Sequence, residues 1–149
     1  MSKAESADLI LKLYDLRREE TMRKARDYMF FFNPTSAEDY MKTMMDPEVG
    51  AYVRMVVSYW DMAAAMVVEG AIDADLFNKT NGEHTIVFAK IEPILSELRA
   101  IWQSPEALSS LEKVVLGAPG GAEKLKQTQE WLKNIQAQMA GGQAGEASA

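Results

Sequence analysis

The sequence predicts an all-α fold, a bundle of about five to seven helices around a long, largely buried central helix. Three observations carry that prediction. Apolar residues recur at three- and four-residue steps through most of the 149 positions, helix-start signals recur ahead of those stripes, and glycine or proline closes them. Only Thr85 to Phe88 is β-branched and aromatic enough to suggest a strand, and no other segment offers it a partner.

The central helix is expected from Asp46 to Gly70. Asp46 can cap free N–H groups, Pro47 suits a first turn, Glu48 complements the positive end of the helix dipole, and Gly70 is a natural stop. Between them Val49, Val53, Val56, Val57, Trp60, Ala63, Ala64, Val67 and Val68 fall on one face, which should be core. A second stripe of Tyr52, Met55, Tyr59, Met62 and Met66 leaves a narrow polar wedge of Arg54, Ser58, Asp61, Ala65 and Glu69. A helix apolar around most of its girth is covered on two sides, by its own bundle or by a second copy. A membrane span is disfavoured, because Arg54 and Asp61 would each cost ~2.5 kcal/mol or more at bilayer depth.

The other elements follow in chain order. Residues 4–32 read as one long helix whose apolar stripe drifts from Leu9, Ile10, Leu13 and Leu16 to Met22, Ala25, Met29 and Phe32. Glu19 with Arg23 and Glu20 with Lys24 are favourably oriented i,i+4 pairs at the point where that stripe is weakest. Asn33-Pro34 ends this helix, and Thr35 with Glu38 has the spacing of a capping box for a short helix through Met45. After Gly70, Asp73 is the N-cap of another short helix that Asn81-Gly82 closes. Residues 83–103 should be a helix kinked at Pro93, whose ring removes the bond to the Ala89 carbonyl. Ser104-Pro105-Glu106 starts a helix of about three turns that stops at Gly117.

The domain is expected to be single, over residues 1–139, with a flexible joint at 117–121 and a docking helix at 122–139. Its narrow seam of Leu125, Thr128, Trp131, Leu132, Ile135 and Met139 suits a neighbouring surface. Residues 140–149 hold no large apolar group to offset the entropy of ordering and are expected to be disordered.

Composition narrows the function classes. A chain 48% hydrophobic and 26% charged is ordinary for one soluble domain. The net charge of −6 disfavours non-specific binding to nucleic acid, and Arg17, Arg18, Arg23, Lys24 and Arg26 spread around the helix axis among acidic residues. Without cysteine there is no disulfide, thiolate ligand or thiol nucleophile. Asp8, Lys12 and Asp15 interrupt the apolar run near the N-terminus, so general secretion is not expected and a cytoplasmic location is.

Two residues are candidates for chemistry. His84 is the sole histidine, and its unperturbed pKa lies near neutrality. A metal would want a second histidine or paired Glu-x-x-His motifs, which are missing, so a partly exposed or hydrogen-bonded structural histidine is the preferred reading. Asp61, on a mostly apolar helix, should be an edge residue or one half of an interhelical ion pair rather than a catalytic group. Gly120-Gly121 and Gly141-Gly142 lack the Lys/Ser signature of phosphate loops, and no cofactor is expected.

From about Val49 to Val115 the order of features resembles a family of small bacterial all-helical proteins known only as a domain of unknown function. The apolar helix with Trp60, then EGAIDADLF (Glu69 to Phe77), IEPILSELRAIW (Ile91 to Trp102) and ALSSLEKVV (Ala107 to Val115) carry the resemblance. It implies a helical fold and a bacterial, cytosolic or membrane-proximal setting, and brings no functional residues with it.

The function expected from these readings is a non-enzymatic interaction module, a homodimer with a possible further protein partner. Tyr52, Met55, Tyr59, Met62 and Met66 or the seam with Trp131 and Ile135 would supply its surface. The alternative is a small-molecule-binding or regulatory domain with an apolar pocket lined by Trp60, Phe88 and methionines.

Overall fold

The computed structural model describes the backbone of residues 2–148 and the side chains of residues 2–141. It is an all-α bundle. Among the described residues there are nine α-helices and one 3-10 turn, more than the five to seven expected, because two segments read as single helices are each divided.

The first division separates α1 (Lys3–Arg17) from α2 (Glu20–Phe31). The sequence favoured one helix here because of the two i,i+4 pairs. Only one of them forms: Lys24 reaches Glu20 at 3.7 Å on the exposed surface. Glu19 instead turns its carboxylate onto the N–H groups of Thr21 and Met22, both at 2.9 Å, and becomes the N-cap of α2. A cap satisfies two free backbone donors, whereas an exposed ion pair contributes a few tenths of a kcal/mol, so capping wins. The break also resolves the drifting stripe, since α1 buries Ile10 and Leu13 while α2 buries Met22, Ala25 and Met29.

α3 (Ala37–Met44) starts one residue later than expected. Ser36 is the cap, accepting from the Asp39 N–H at 3.0 Å, and Asp39 reaches back to the Thr35 N–H at 3.0 Å. Glu38 takes no part in this box. Asp46 then accepts from the N–H groups of Glu48 and Val49, which form a turn leading into α4 (Gly50–Val68).

α4 is the long apolar helix of the bundle and packs against α2, α3, α5 and α8. Nine of its nineteen residues are buried, among them Val53, Val56, Val57, Trp60, Ala63, Ala64 and Val67. Of the second stripe only Tyr59 is buried; Tyr52, Met55 and Met66 are half-buried and Met62 is exposed, while at the two ends of the expected core face Val49 is half-buried and Val68 exposed. The helix is therefore core along one side and open along the other, rather than buried around most of its girth. Among the described residues it is also the one helix long and apolar enough to cross a membrane. Gly70 stops it with φ +84°, a left-handed conformation that glycine adopts without penalty.

Asp73 caps α5 (Ala74–Thr80) as expected, accepting from the Leu76 N–H at 2.9 Å. Residues 83–103 are helical and not a strand. α6 (Glu83–Ile91) passes through a 3-10 turn at Glu92–Ile94 into α7 (Leu95–Ile101), so the bend falls at Pro93. α8 (Ser109–Gly117) begins later than the Ser104-Pro105 signal suggested. Residues 105–108 form turns, and Leu108 enters the helix at φ 60°. Arg99 holds this turn in place, donating from Nε to the Ala107 carbonyl at 3.0 Å and from its terminal nitrogen to Glu112 at 3.1 Å.

A tight turn through Gly120 leads into α9 (Gly121–Ser148), which folds back on α6 and α8. Gly121 is required by close approach: a Cβ there would lie 2.3 Å from the Val115 carbonyl oxygen. Leu125 and Leu132 are the seam residues that α9 buries within its own chain. The expected disordered tail, residues 140–149, lies from residue 142 onward outside the described side chains.

Candidate functional site

Three features stand out along α6, where it meets α1, α2, α4 and α5. At one end Glu83, the first residue of α6, gathers three donors. Arg26 on α2 approaches it through Nε at 3.0 and 3.1 Å and through a terminal nitrogen at 2.8 Å, and the Trp60 indole N–H donates to it at 3.2 Å. The guanidinium of Arg17 lies over the Trp60 ring at 5.3 Å and donates to Asn81 Oδ1 at 3.0 Å. These contacts tie α1, α2 and α4 to the start of α6. The multiple Arg26 bonds to Glu83 are the strong, geometrically fixed kind, and they hold the Arg26 pKa above its ordinary value.

His84 follows directly in the chain. It is 2% exposed, with ring centroids 5.6 Å from Trp60 and 4.9 Å from Phe77. Its Nδ1 is buried without a hydrogen-bond partner among the described residues. Burial pushes its pKa down to about 4, so the imidazole is neutral near pH 7. The expected structural histidine, partly exposed or hydrogen-bonded, is thus corrected to a buried one with an unmatched nitrogen. His84 is in phase with Val87, Phe88 and Ile91, but nothing in the sequence shows that its neighbours are the Phe77 ring and an indole whose N–H is already given to Glu83. Among the described residues no cluster of His, Asp or Glu could hold a metal ion.

Lys90, six residues further along α6, is not among the residues that the sequence singles out. Its ammonium is buried and donates to the carbonyls of Met29, Phe30 and Phe32 at 2.6, 2.6 and 3.0 Å. It caps the end of α2, where free carbonyls and the negative end of the dipole favour a cation. Burial pulls its pKa down to about 8. The available signal is a lysine in phase with Ile86, Val87 and Ile94, on a face that should exclude charge.

Asp61 has a structural task. It is half-buried, and its carboxylate accepts from the Leu111 N–H at 3.1 Å, capping α8 from a neighbouring helix. It stands apart from His84 in this role, so the two candidates do not form one site.

Three open spaces between helices concern the candidate residues, and none of them is lined by the expected pocket residues Trp60 and Phe88. Trp60 and Phe88 are fully buried in the packed core. A groove of about 330 Å³ runs between α2 and α6, with Met29, Phe30, Ile86 and Val87 as walls and Arg26 and Lys90 along it. A cleft of about 210 Å³ between the end of α2 and α9 is lined by Phe30, Phe31, Ile135 and Met139. A crevice of about 440 Å³ separates α5 and α6 from α8 and α9, and His84 and Trp131 both border it.

Residues 3–117 match the family described as a domain of unknown function, DUF4760. The chain belongs to the DUF4760 family. The match covers α1 to α8 and exceeds the stretch from Val49 to Val115 over which the resemblance was visible in the sequence. It ends at Gly117, so α9, which walls both the 210 Å³ cleft and the 440 Å³ crevice, lies beyond the matched DUF4760 segment. No curated protein and no solved structure matches the chain.

Proposed function

We propose that this DUF4760 domain is a non-enzymatic interaction module that pairs with a second copy of itself through the end of α2 and the outer part of α9. The observation that carries this is the apolar surface there. Phe30 and Phe31 are 41% and 55% exposed and stand edge to face at 5.2 Å, and Met139 is also exposed across the cleft. Large aromatic side chains clustered in the open mark interaction surfaces more often than scattered single ones do. Phe30 also lines both this cleft and the α2–α6 groove, so an exposed ring stands beside a hollow, which supports a twofold contact of the patch with itself. A cytoplasmic setting goes with this reading, and the cysteine-free sequence is compatible with it.

Light scattering at micromolar concentration tests the pairing. The expected mass is about twice the 16.6 kDa of one chain, and Phe31→Asp with Ile135→Asp should return it to one chain. A wild type that stays at 16.6 kDa overturns the proposal, as does an undiminished dimer in the double variant.

The second reading is a small-molecule-binding domain. It is supported by the α2–α6 groove, whose apolar walls and few charged groups are the usual make-up of a ligand pocket.

A further inference from the structure

The crevice between α5–α6 and α8–α9 shares no residue with the cleft assigned to pairing. Its volume of about 440 Å³ lies within the range of small-molecule sites. Three properties of its lining select a ligand. The first is Trp131, 44% exposed at the crevice although it was expected to be covered by a subunit, and so presenting part of an indole to whatever enters. The second is charge: in a chain of net −6, the one charged side chain among the described residues lining this crevice is a cation, Lys124. The third is the supply of hydrogen-bonding groups. Asn78 and Gln127 bring amides and Thr85 a hydroxyl, and behind them the buried His84 ring borders the space, its Nδ1 without a partner among the described residues.

We propose that this crevice binds a purine mononucleotide, with the base against Trp131 and the phosphate near Lys124. A flat heterocycle gains from stacking on an aromatic ring, and amide side chains match the donor and acceptor pattern of a purine edge. A sugar would also stack on an indole, but it leaves Lys124 without a partner. A polynucleotide is disfavoured by the overall negative charge, which opposes a long run of phosphates while leaving a single phosphate acceptable. His84 then serves as a buried wall of the site, its ring packed on Trp60 and Phe77 behind the bound ligand.

The test is an NMR titration of the full chain with adenosine 5′-monophosphate, adenosine and inorganic phosphate, each taken to millimolar concentration. The nucleotide should shift the Trp131 indole N–H and the His84 imidazole resonances saturably, with adenosine and phosphate each about tenfold weaker or more. Trp131→Ala and Lys124→Met should each weaken nucleotide binding by about tenfold while circular dichroism and melting stay those of the wild type. The proposal is overturned if no probe gives a saturable shift, if adenosine binds as tightly as its monophosphate, or if Trp131→Ala binds like the wild type. Because both variants lie outside the pairing surface, a failed titration with an intact dimer separates this inference from the proposed function.

Discussion

α4 and α9 each carry one tryptophan, and the two indoles live in different worlds. Trp60 on α4 has no exposed surface: Tyr59 and Phe77 pack on it edge to face at 4.9 and 6.3 Å, and its N–H is satisfied by Glu83. Trp131 on α9 is nearly half exposed, while its neighbour Leu132 is buried. α4 lies inside the segment that matches the DUF4760 family and α9 lies after it. The contrast shows a core helix held by burial on several partners and an added helix held along one seam by leucines. Stability should therefore concentrate in the first, leaving the second free to carry surface for partners and ligands.

The largest expected effect is at Trp60. Trp60→Ala removes a fully buried indole and leaves a cavity among Tyr59, Phe77 and His84, which should cost ~3–5 kcal/mol in urea melts. A loss below ~1 kcal/mol would mean that α4 is not the anchor and would dissolve the contrast.

His84 gives the next effect, and its sign follows from burial. Its pKa in the fold is about 4, below the ordinary 6.5, so between those values the unfolded chain holds more protons than the folded one. The stability this group contributes is fully present above pH 6.5 and is lost as pH falls through 4. The integrated loss is about 3 kcal/mol, less whatever local rearrangement lets water reach the ring. Comparing the pH dependence of the melts of wild type and His84→Gln isolates it, since the carboxylates are common to both. Parallel curves from pH 7 to 4 would show that His84 is not held neutral by the core.

How much of this could be read beforehand differs between the two regions for physical reasons. The α4 side was visible because a buried face repeats with the helix period: Val53, Val56, Val57, Trp60, Ala63, Ala64 and Val67 are all buried where the stripe placed them. Gly70 and Asp73 were visible because a stop and a cap are local chemistry. What periodicity could not settle were contests between two local options for one side chain. Glu19 could pair with Arg23 or cap α2, and the fold uses the cap. The Ser104-Pro105 signal could start a helix, yet Asp61 caps α8 further on, at Leu111, from fifty residues away. Lys90 belongs to the same class, because its three carbonyl partners come from the end of α2 and no local pattern announces them. On the α9 side the seam was identified but not its split, in which Leu125 and Leu132 turn inward and Trp131 stays at the crevice.

Asp61 sharpens the comparison from the polar edge of α4. Asp61→Ala removes the side-chain cap on the Leu111 N–H and should cost ~1 kcal/mol, within the range of N-cap deletions. Asp61→Asn, which keeps an acceptor oxygen, should recover most of it. If the asparagine variant were no better than the alanine one, the carboxylate's charge at the α8 terminus would be the larger part of its contribution.

The smallest effect is expected at Trp131, and it is the one that most directly tests the division between the two helices. The substitution is the same as at Trp60, from the largest side chain to a methyl group, and it too lies within a helix, so helix propensity shifts little and if anything favours alanine. What differs is the surroundings. Trp131 stands at the edge of an open crevice, so shortening it enlarges a solvent-filled space instead of creating a sealed cavity, and the cavity part of the cost disappears. The buried seam residues Leu125 and Leu132 remain to hold α9 in place. Trp131→Ala should therefore change the unfolding free energy by less than ~1 kcal/mol, close to the range of surface substitutions. A loss above ~2 kcal/mol would place α9 in the same cooperative unit as α4. The added helix would then be part of what makes the core stable, and Trp131 would be too costly to keep as a surface for ligands alone.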